Sequence, residues 1–314
     1  MNSHLHRIRR LIQSASKSSF YQAKFAGLRT RGAVDLKKLP ATSLEELVAE
    51  KARSGDPYSS RWCGQQDPLV VVQLDYGTES PLYLPFDRRT LRSYAEALGR
   101  CLDLVGLKKG NAVAIYDYGT SPVSFLASAA FTPYLKKGPA ETLGCLTICN
   151  DGIASMSGRA IDILKYVRPR ILFVRAECLH PLALEVEGQL SQLSDYTGGL
   201  VVSENESLLS KADQDAFERR LGVPVYRLLR VDLALFFAME CPKCRLLHSW
   251  EDLYNVETFH EAIEGSSSDS RDDCLVVTNW FARSCPAVRY LSRVRGSVVS
   301  GGCSISQGDI RIVA

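Results

Sequence analysis

Long apolar runs are missing. The longest apolar stretch, near Ser121 to Leu135, is interrupted by Ser, Thr and Pro. It falls short of the ~18 residues that span a bilayer, so no membrane partner is expected. A large excess of one charge is missing too. The 38 Lys and Arg stand against 35 Asp and Glu, a net charge of +3, without the basic surplus of a dedicated nucleic-acid binder. Cysteine is sparse for a disulfide scaffold: 10 residues in 314, where such scaffolds carry about 8–10%. No secretory signal precedes them, so a reducing, cytoplasmic compartment with thiols free or metal-bound is expected. With 13 Pro and 22 Gly, collagen and general disorder are excluded. No Gly-x-Ser-x-Gly marks a nucleophile elbow, and no Ser/His/Asp series can be assigned.

What remains is a chain of 46% hydrophobic and 23% charged residues, long enough to bury a core without metal or disulfide. The first 34 residues are basic and lack any acid, as in a transit peptide. Leu5, Ile8, Leu11, Ile12 and Ala15 instead recur on one face of an amphipathic helix, which is the reading preferred here. Thr42 and Ser43 precede Glu45 and Glu46 by three residues each, a capping-box start for a helix through Ala49 after Pro40.

From Leu69 strands and helices alternate. Strands are expected at 69–74, 82–85, 112–116, 145–149, 171–174, 200–203 and 223–228. Helices are expected at 90–105, 124–135, 158–167, 181–193 and 213–220. This alternation predicts a layered α/β domain with a mostly parallel sheet. After Val231 short strands follow one another, at 233–238, 253–259, 274–279, 287–290 and 297–300. That texture predicts a smaller mixed or antiparallel β region. The division is therefore drawn as 1–230, a layered α/β core with N-terminal helices, and 231–314, a β-rich subdomain. The polar patch Gly265 to Asp273 reads as an exposed loop.

Several short motifs occur in a telling order. Ser19-Phe20-Tyr21 precedes Lys24-Phe25, and Asp35-Leu36 precedes Leu39-Pro40 and Thr42. Gly106-Leu107-Lys108-Lys109-Gly110-Asn111 follows a long helix. Leu221-Gly222-Val223-Pro224-Val225-Tyr226 leads into a strand. Glu240-Cys241, Leu247-His248 and Glu257 come next, then Thr278-Asn279, Pro286 and Arg289-Tyr290. Together they resemble the phenylacetate–coenzyme A ligase branch of the adenylate-forming enzymes. The resemblance implies the large N-terminal domain of that fold. It also implies a reaction in which a carboxylate and ATP-Mg give an acyl-adenylate, and coenzyme A then takes the acyl group. A small carboxylate or acyl ligand and a homodimer or other protein partner are implied likewise.

The residues that should carry the chemistry depart from the pattern. The resembled phosphate loop, S-G-T-T-G-K-P, falls on Asp75-Tyr76-Gly77-Thr78-Glu79-Ser80-Pro81. Gly77, Thr78 and Pro81 match, the second Gly is Ser80, and the Lys is absent. Asp75 and Glu79 place negative charge where polyphosphate would lie. One like-charge pair at contact costs about 4 kcal/mol at an effective dielectric near 20. The adenine-contacting Gly-Gly-Glu falls near Ser203-Glu204-Asn205-Glu206, with no Gly-Gly. The acidic motif Y-G-x-T-E falls near Leu229 to Leu233, where Asp232 could hold magnesium after a one-residue slip or be ordinary strand surface. Arg289 matches the family's Arg, or is a solvated or ion-paired strand residue. The family's ribose-gripping Asp is Val294. Gly77, Thr78, Asp232 and Arg289 are thus the candidate ATP-site remnants. The sequence stops at Asp309 to Ala314, where the resembled hinge would open the mobile C-terminal domain, so that domain is expected to be absent.

Removal of one preorganised electrostatic group typically costs roughly 10²–10³ in rate. The expectation is therefore a degenerate homologue that does not adenylate by itself and serves as a binding or scaffold protein. The alternative is an ATP-dependent carboxylate–CoA ligase whose missing domain is supplied by another chain.

The sharpest local motif is Cys241-Pro242-Lys243-Cys244 followed by His248. C-x₂-C gives two thiolates a tight bite on one ion, His248 offers a third ligand, and Cys303 a fourth. The set predicts structural zinc. Three ordinary thiols with a surface His, or a redox C-x-x-C, are the other readings.

Overall fold

The computed structural model describes residues 2–27, 35–78, 80–128, 134–260, 273–300, 303–304 and 309–314. Three N-terminal helices come first: α1 (Asn2–Ala15), α2 (Ser19–Lys24) and α3 (Leu44–Ser54). Ser43 and Glu46 form the capping box of α3, and Gly55, with φ 71°, ends it. A hairpin of β1 (Val70–Leu74) and β2 (Leu82–Phe86) leads to α4 (Arg88–Leu104). The chain then continues through β3 (Ala112–Tyr116), α5 (Pro122–Ala127), α6 (Pro139–Thr142), β4 (Leu146–Asn150), α7 (Gly158–Val167), β5 (Ile171–Val174) and α8 (Ala176–Gln189). Next come β6 (Leu200–Asn205), α9 (Lys211–Leu221), β7 (Val225–Val231), β8 (Phe236–Glu240) and β9 (Leu247–Trp250). The last strands are β10 (Tyr254–His260), β11 (Asp273–Asn279), β12 (Tyr290–Arg295), β13 (Ser297–Val299) and β14 (Asp309–Val313).

A nine-stranded sheet organises the molecule, in the order β13-β14-β9-β8-β7-β6-β5-β3-β4. From β4 to β7 every pairing is parallel, and from β7 to β13 every pairing is antiparallel. The strands β10, β11 and β12 form a separate antiparallel sheet. The change of texture seen in the sequence at residue 231 is this switch of direction. It falls inside one sheet, because β7 ends at Val231 and pairs with β8.

Period-two alternation builds two cores. Val113, Ile115, Ile171, Phe173 and Val201 face one side with Leu91, Tyr94, Leu98 and Leu102 of α4. Ala114, Tyr116, Leu172, Val174, Leu200 and Val202 face the other, with Ile161 and Leu164 of α7 and Leu179, Leu182 and Val186 of α8. Strands buried on both faces read as continuous apolar runs, as expected for a helix-covered parallel sheet.

Some element readings are corrected. The helix expected over 181–193 is α8, which begins five residues earlier and carries Pro181 inside it. The strand expected over 287–290 is displaced to β12, because Arg289 has φ 47°, a left-handed conformation that breaks extended backbone. The strands β9 and β14 have no counterpart among the expected strands. The helix expected over 124–135 is α5, 122–127, and residues 129–133 lie outside the described ones. Of the loop at 265–273, residues 265–272 also lie outside.

Candidate functional site

Parallel pairing sets the carboxyl ends of β3, β5, β6 and β7 along one edge of the sheet. Each apolar run ends there in charged or polar side chains: Asp117 and Tyr118, Arg175, Ser203 to Glu206, and Arg230 with Asp232. Open parallel sheets bind ligands at such an edge. With the β1 turn at Asp75 to Gly77 and with Arg293, these residues line a cleft of about 760 Å³.

Among the described residues, five carboxylates line it against three guanidiniums. Arg230 is buried between Asp117 Oδ2 and Asp232 Oδ1, each 3.7 Å away, and donates to Ser121 Oγ. Burial opposes its charge, but Asp232 and Asp117 outweigh that and hold it above its ordinary pKa. Arg175 pairs with Glu177 at 2.9 Å and Asp117 at 3.8 Å. Its guanidinium carbon lies 3.6 Å from the centroid of the Tyr118 ring, a cation–π stack. Arg293 stands at the rim, 4.0 Å from Glu45. Burial raises the carboxyl pKa of Asp232, of Glu204 and of Glu206.

Two anion-friendly positions of this edge are taken by the chain itself. The Gly77 N–H donates to Asp75 Oδ1 at 2.8 Å. At the amino end of α8, the Ala176 N–H donates to Glu204 Oε1 at 2.6 Å. Such an end carries partial positive charge that suits an anion, and Glu204 supplies one.

The predicted remnants are dispersed. Gly77 and Asp232 line the cleft. Thr78 is not among the lining residues and donates to the Ser80 carbonyl at 2.8 Å. Glu79 lies outside the described residues. Arg289 sits away from the cleft and is 7% exposed. It bonds Glu257 at 3.3 Å and the Lys37 carbonyl at 3.0 Å, and also the Leu39 carbonyl. That arrangement ties the second sheet to the N-terminal segment. Sequence reasoning missed Asp117, Tyr118, Arg175 and Arg230. Their signal was a charged or polar residue at the carboxyl end of an apolar strand.

A second constellation joins the antiparallel end of the large sheet. The ligand atoms of Cys241, Cys244, His248 and Cys303 all lie within 4.8 Å of one another. The backbone turns back at the C-x₂-C segment through Arg245 N–H to Cys241 O at 3.0 Å, with Arg245 at φ 57°. Cys241 Sγ is 3.8 Å from Cys303 Sγ, and Cys244 Sγ is 3.1 Å from His248 Nε2. Zinc–sulfur bonds of about 2.3 Å put tetrahedral sulfurs about 3.8 Å apart, so the donor set fits that ion. All four cysteine-and-histidine positions are supplied by the chain, which makes a closed set. Burial pushes the Cys244 thiol up to about 11.

No protein-family model matches the sequence, and no curated protein matches it. Among solved structures, the chain is similar to 2-hydroxyisobutyryl-CoA ligase in an open conformation with 2-HIB-AMP and CoA. The TM-score is 0.81 at 18% identity, over 99% of this chain and 73% of that one. The chain has the fold of adenylate-forming CoA ligases. The same ligase in its postadenylation state with R3-HIB-AMP gives a TM-score of 0.80 at 18% identity, over 98% of this chain and 65% of that one. The o-succinylbenzoate CoA synthetase from Bacillus subtilis gives 0.50 at 10% identity, over 80% and 50%. The α/β architecture expected from the alternation of elements is thus that of the adenylate-forming fold, over about two thirds to three quarters of the 2-hydroxyisobutyryl-CoA ligase chain. Among the described residues, no helix is long and apolar enough to cross a membrane.

Proposed function

We propose that this chain is a non-adenylating member of the adenylate-forming fold that works by binding rather than by turnover. One observation carries the reading: the positions suited to hold phosphate are filled by the protein's own carboxylates. Asp75 occupies the Gly77 amide and Glu204 occupies the α8 terminus. Two cleft guanidiniums, the half-buried Arg175 and the buried Arg230, are engaged by Asp117, Glu177 and Asp232. A triphosphate would have to displace these acids or lie against them, at about 4 kcal/mol for each like-charge contact. The cleft is left for a small, weakly charged ligand such as an acyl group or a carboxylic acid in its neutral form.

The cluster of Cys241, Cys244, His248 and Cys303 is proposed to hold structural zinc. It would join the β8–β9 turn to the segment between β13 and β14, far in the sheet order from β3 to β6, and supply no chemistry to the cleft.

Titration calorimetry of the purified chain with ATP-Mg, beside a pyrophosphate-release assay over a panel of carboxylates, tests the reading. Neither binding nor release is expected. The likeness to 2-hydroxyisobutyryl-CoA ligase over 99% of this chain favours a second reading, an ATP-dependent acid–CoA ligase acting with a domain from another polypeptide. Micromolar ATP binding with pyrophosphate release would establish that second reading in place of the first.

A further inference from the structure

Helix α1 presents two opposite faces. Ile8, Leu11, Ile12 and Ala15 are buried in the core. Arg10, Gln13 and Ser14, with Lys17 one turn further on, recur at helical spacing on the other side. They form one wall of a cavity of about 580 Å³, a size suited to a small organic molecule. The segment from Cys63 to Gln66 and the turn at Arg283 and Ser284 form the other walls.

These walls are fixed against one another. Cys63 N–H donates to the Ser284 carbonyl at 2.8 Å. The Cys63 thiol donates to the Arg283 carbonyl at 3.2 Å and lies 3.6 Å from the Ser14 carbonyl. His4 of α1 packs edge-on against Trp280, with ring centroids 5.8 Å apart. Ser284 also bonds Asp87, the N-cap of α4.

The charge of the lining has one sign. Arg10, Lys17 and Arg283 contribute three cations, and among the described residues no carboxylate lines it. The adjacent acid, Asp87, already accepts from Thr90 N–H at 2.6 Å and from Ser284. Burial, then Arg89 and Arg10, hold the Arg283 guanidinium below its ordinary pKa. Gln13, Gln65 and Gln66 add amides that both donate and accept. They suit hydroxyls rather than an apolar body.

We propose that this cavity is a second ligand site, for a small phosphomonoester with a hydroxylated body. The phosphate lies among Arg10, Lys17 and Arg283, and the body lies against the glutamines. The proposal is independent of how the cleft at the parallel edge is read.

Titration calorimetry of the full chain with ribose 5-phosphate at low ionic strength tests it, with ribose and inorganic phosphate as the comparison titrants. Ribose 5-phosphate is expected to bind, ribose not at all, and inorganic phosphate at least about tenfold more weakly. Affinity should fall at high salt, as screening requires. Arg283→Gln combined with Arg10→Gln should weaken binding by at least about tenfold. Lys17→Gln is exposed, leaves the fold intact and should weaken binding in the same direction. Glu204→Gln in the cleft should leave it unchanged. Absence of binding, equal binding of inorganic phosphate, or binding indifferent to both sets of cavity variants would overturn the proposal. So would a loss caused by Glu204→Gln alone.

Discussion

Glu204, the fifth residue of β6, accepts the first backbone N–H of α8, from Ala176, at 2.6 Å. One carboxylate thereby links two neighbouring parallel strands through the helix that leaves one of them. It also neutralises a helix terminus at the edge where this fold type places ligands. Glu204 is inside the cleft, buried enough that burial raises its pKa, and it retains its place by bonding the backbone.

That burial fixes a pH dependence. Glu204, Glu206 and Asp232 all have pKa values raised by burial above the ordinary 4.5 and 3.8. The folded chain then holds more protons than the unfolded chain in the interval above those ordinary values. Stability therefore falls as pH rises through it, by at most about 1.4 kcal/mol per pH unit for each proton. Glu45, Glu50, Asp87 and Asp252 have lowered values. Their contribution is lost only as pH falls below the ordinary range. The melting temperature should therefore fall as pH rises from just above those ordinary values. Glu204→Gln should flatten that slope while keeping an acceptor for Ala176. A melting temperature that rises steadily from pH 5 to pH 8 would contradict this.

Much of the fold was legible because burial on both faces of a parallel sheet leaves unbroken apolar runs. The strands at 112–116 and 171–174 and the helix at 158–167 were read to the residue. What escaped was set by tertiary contact. The strand β9 is Leu-His-Ser-Trp, with polar residues buried through pairing to β8 and β14 and no alternation of its own. Arg289 breaks a strand by a backbone angle that nothing in its neighbours announces. The site was legible in part for the same reason. Gly77 and Asp232 lie in the cleft, but Arg230 and Arg175 were invisible as partners because Asp117 joins them from strands distant in sequence. Cys303 could be grouped with Cys241, Cys244 and His248, across 62 residues from Cys241, only by ligand chemistry together with the family resemblance.

The thiol cluster makes a metal prediction. Purified protein should contain about one zinc per chain, bound by four ligands. Cys303→Ser should remove it, because Cys303 is the ligand contributed from outside the β8–β9 turn. Chelation or this variant should lower the melting temperature, roughly 2–4 °C for each kcal/mol in a chain of this size. Hydrogen exchange should quicken at β13 and β14, with β3 to β6 unaffected. Elemental analysis showing no zinc, with a melting temperature indifferent to chelator, would remove the assignment.

Beside that cluster lies the most consequential buried charge. Glu240, 0% exposed, closes β8 just before Cys241. It accepts from Arg227 Nε at 3.2 Å, from Arg227 N–H at 3.0 Å and from Gln214 at 2.6 Å, and forms an ion pair with Arg245 at 2.8 Å. Arg245 also bonds Glu218 at 2.7 Å, so one carboxylate holds β7, α9 and the C-x₂-C turn together. Removal of one partner of a buried ion pair costs about 3–5 kcal/mol, since the remaining charges stay buried without compensation. Glu240→Ala should therefore destabilise by that amount, measured by denaturant unfolding. Glu240→Gln keeps the shape and an acceptor but not the charge. It should fall between wild type and Ala, and should loosen the turn enough to weaken zinc retention in competition with a chelator. A loss below about 1 kcal/mol for Glu240→Ala would mean that the network carries no more than an exposed pair does.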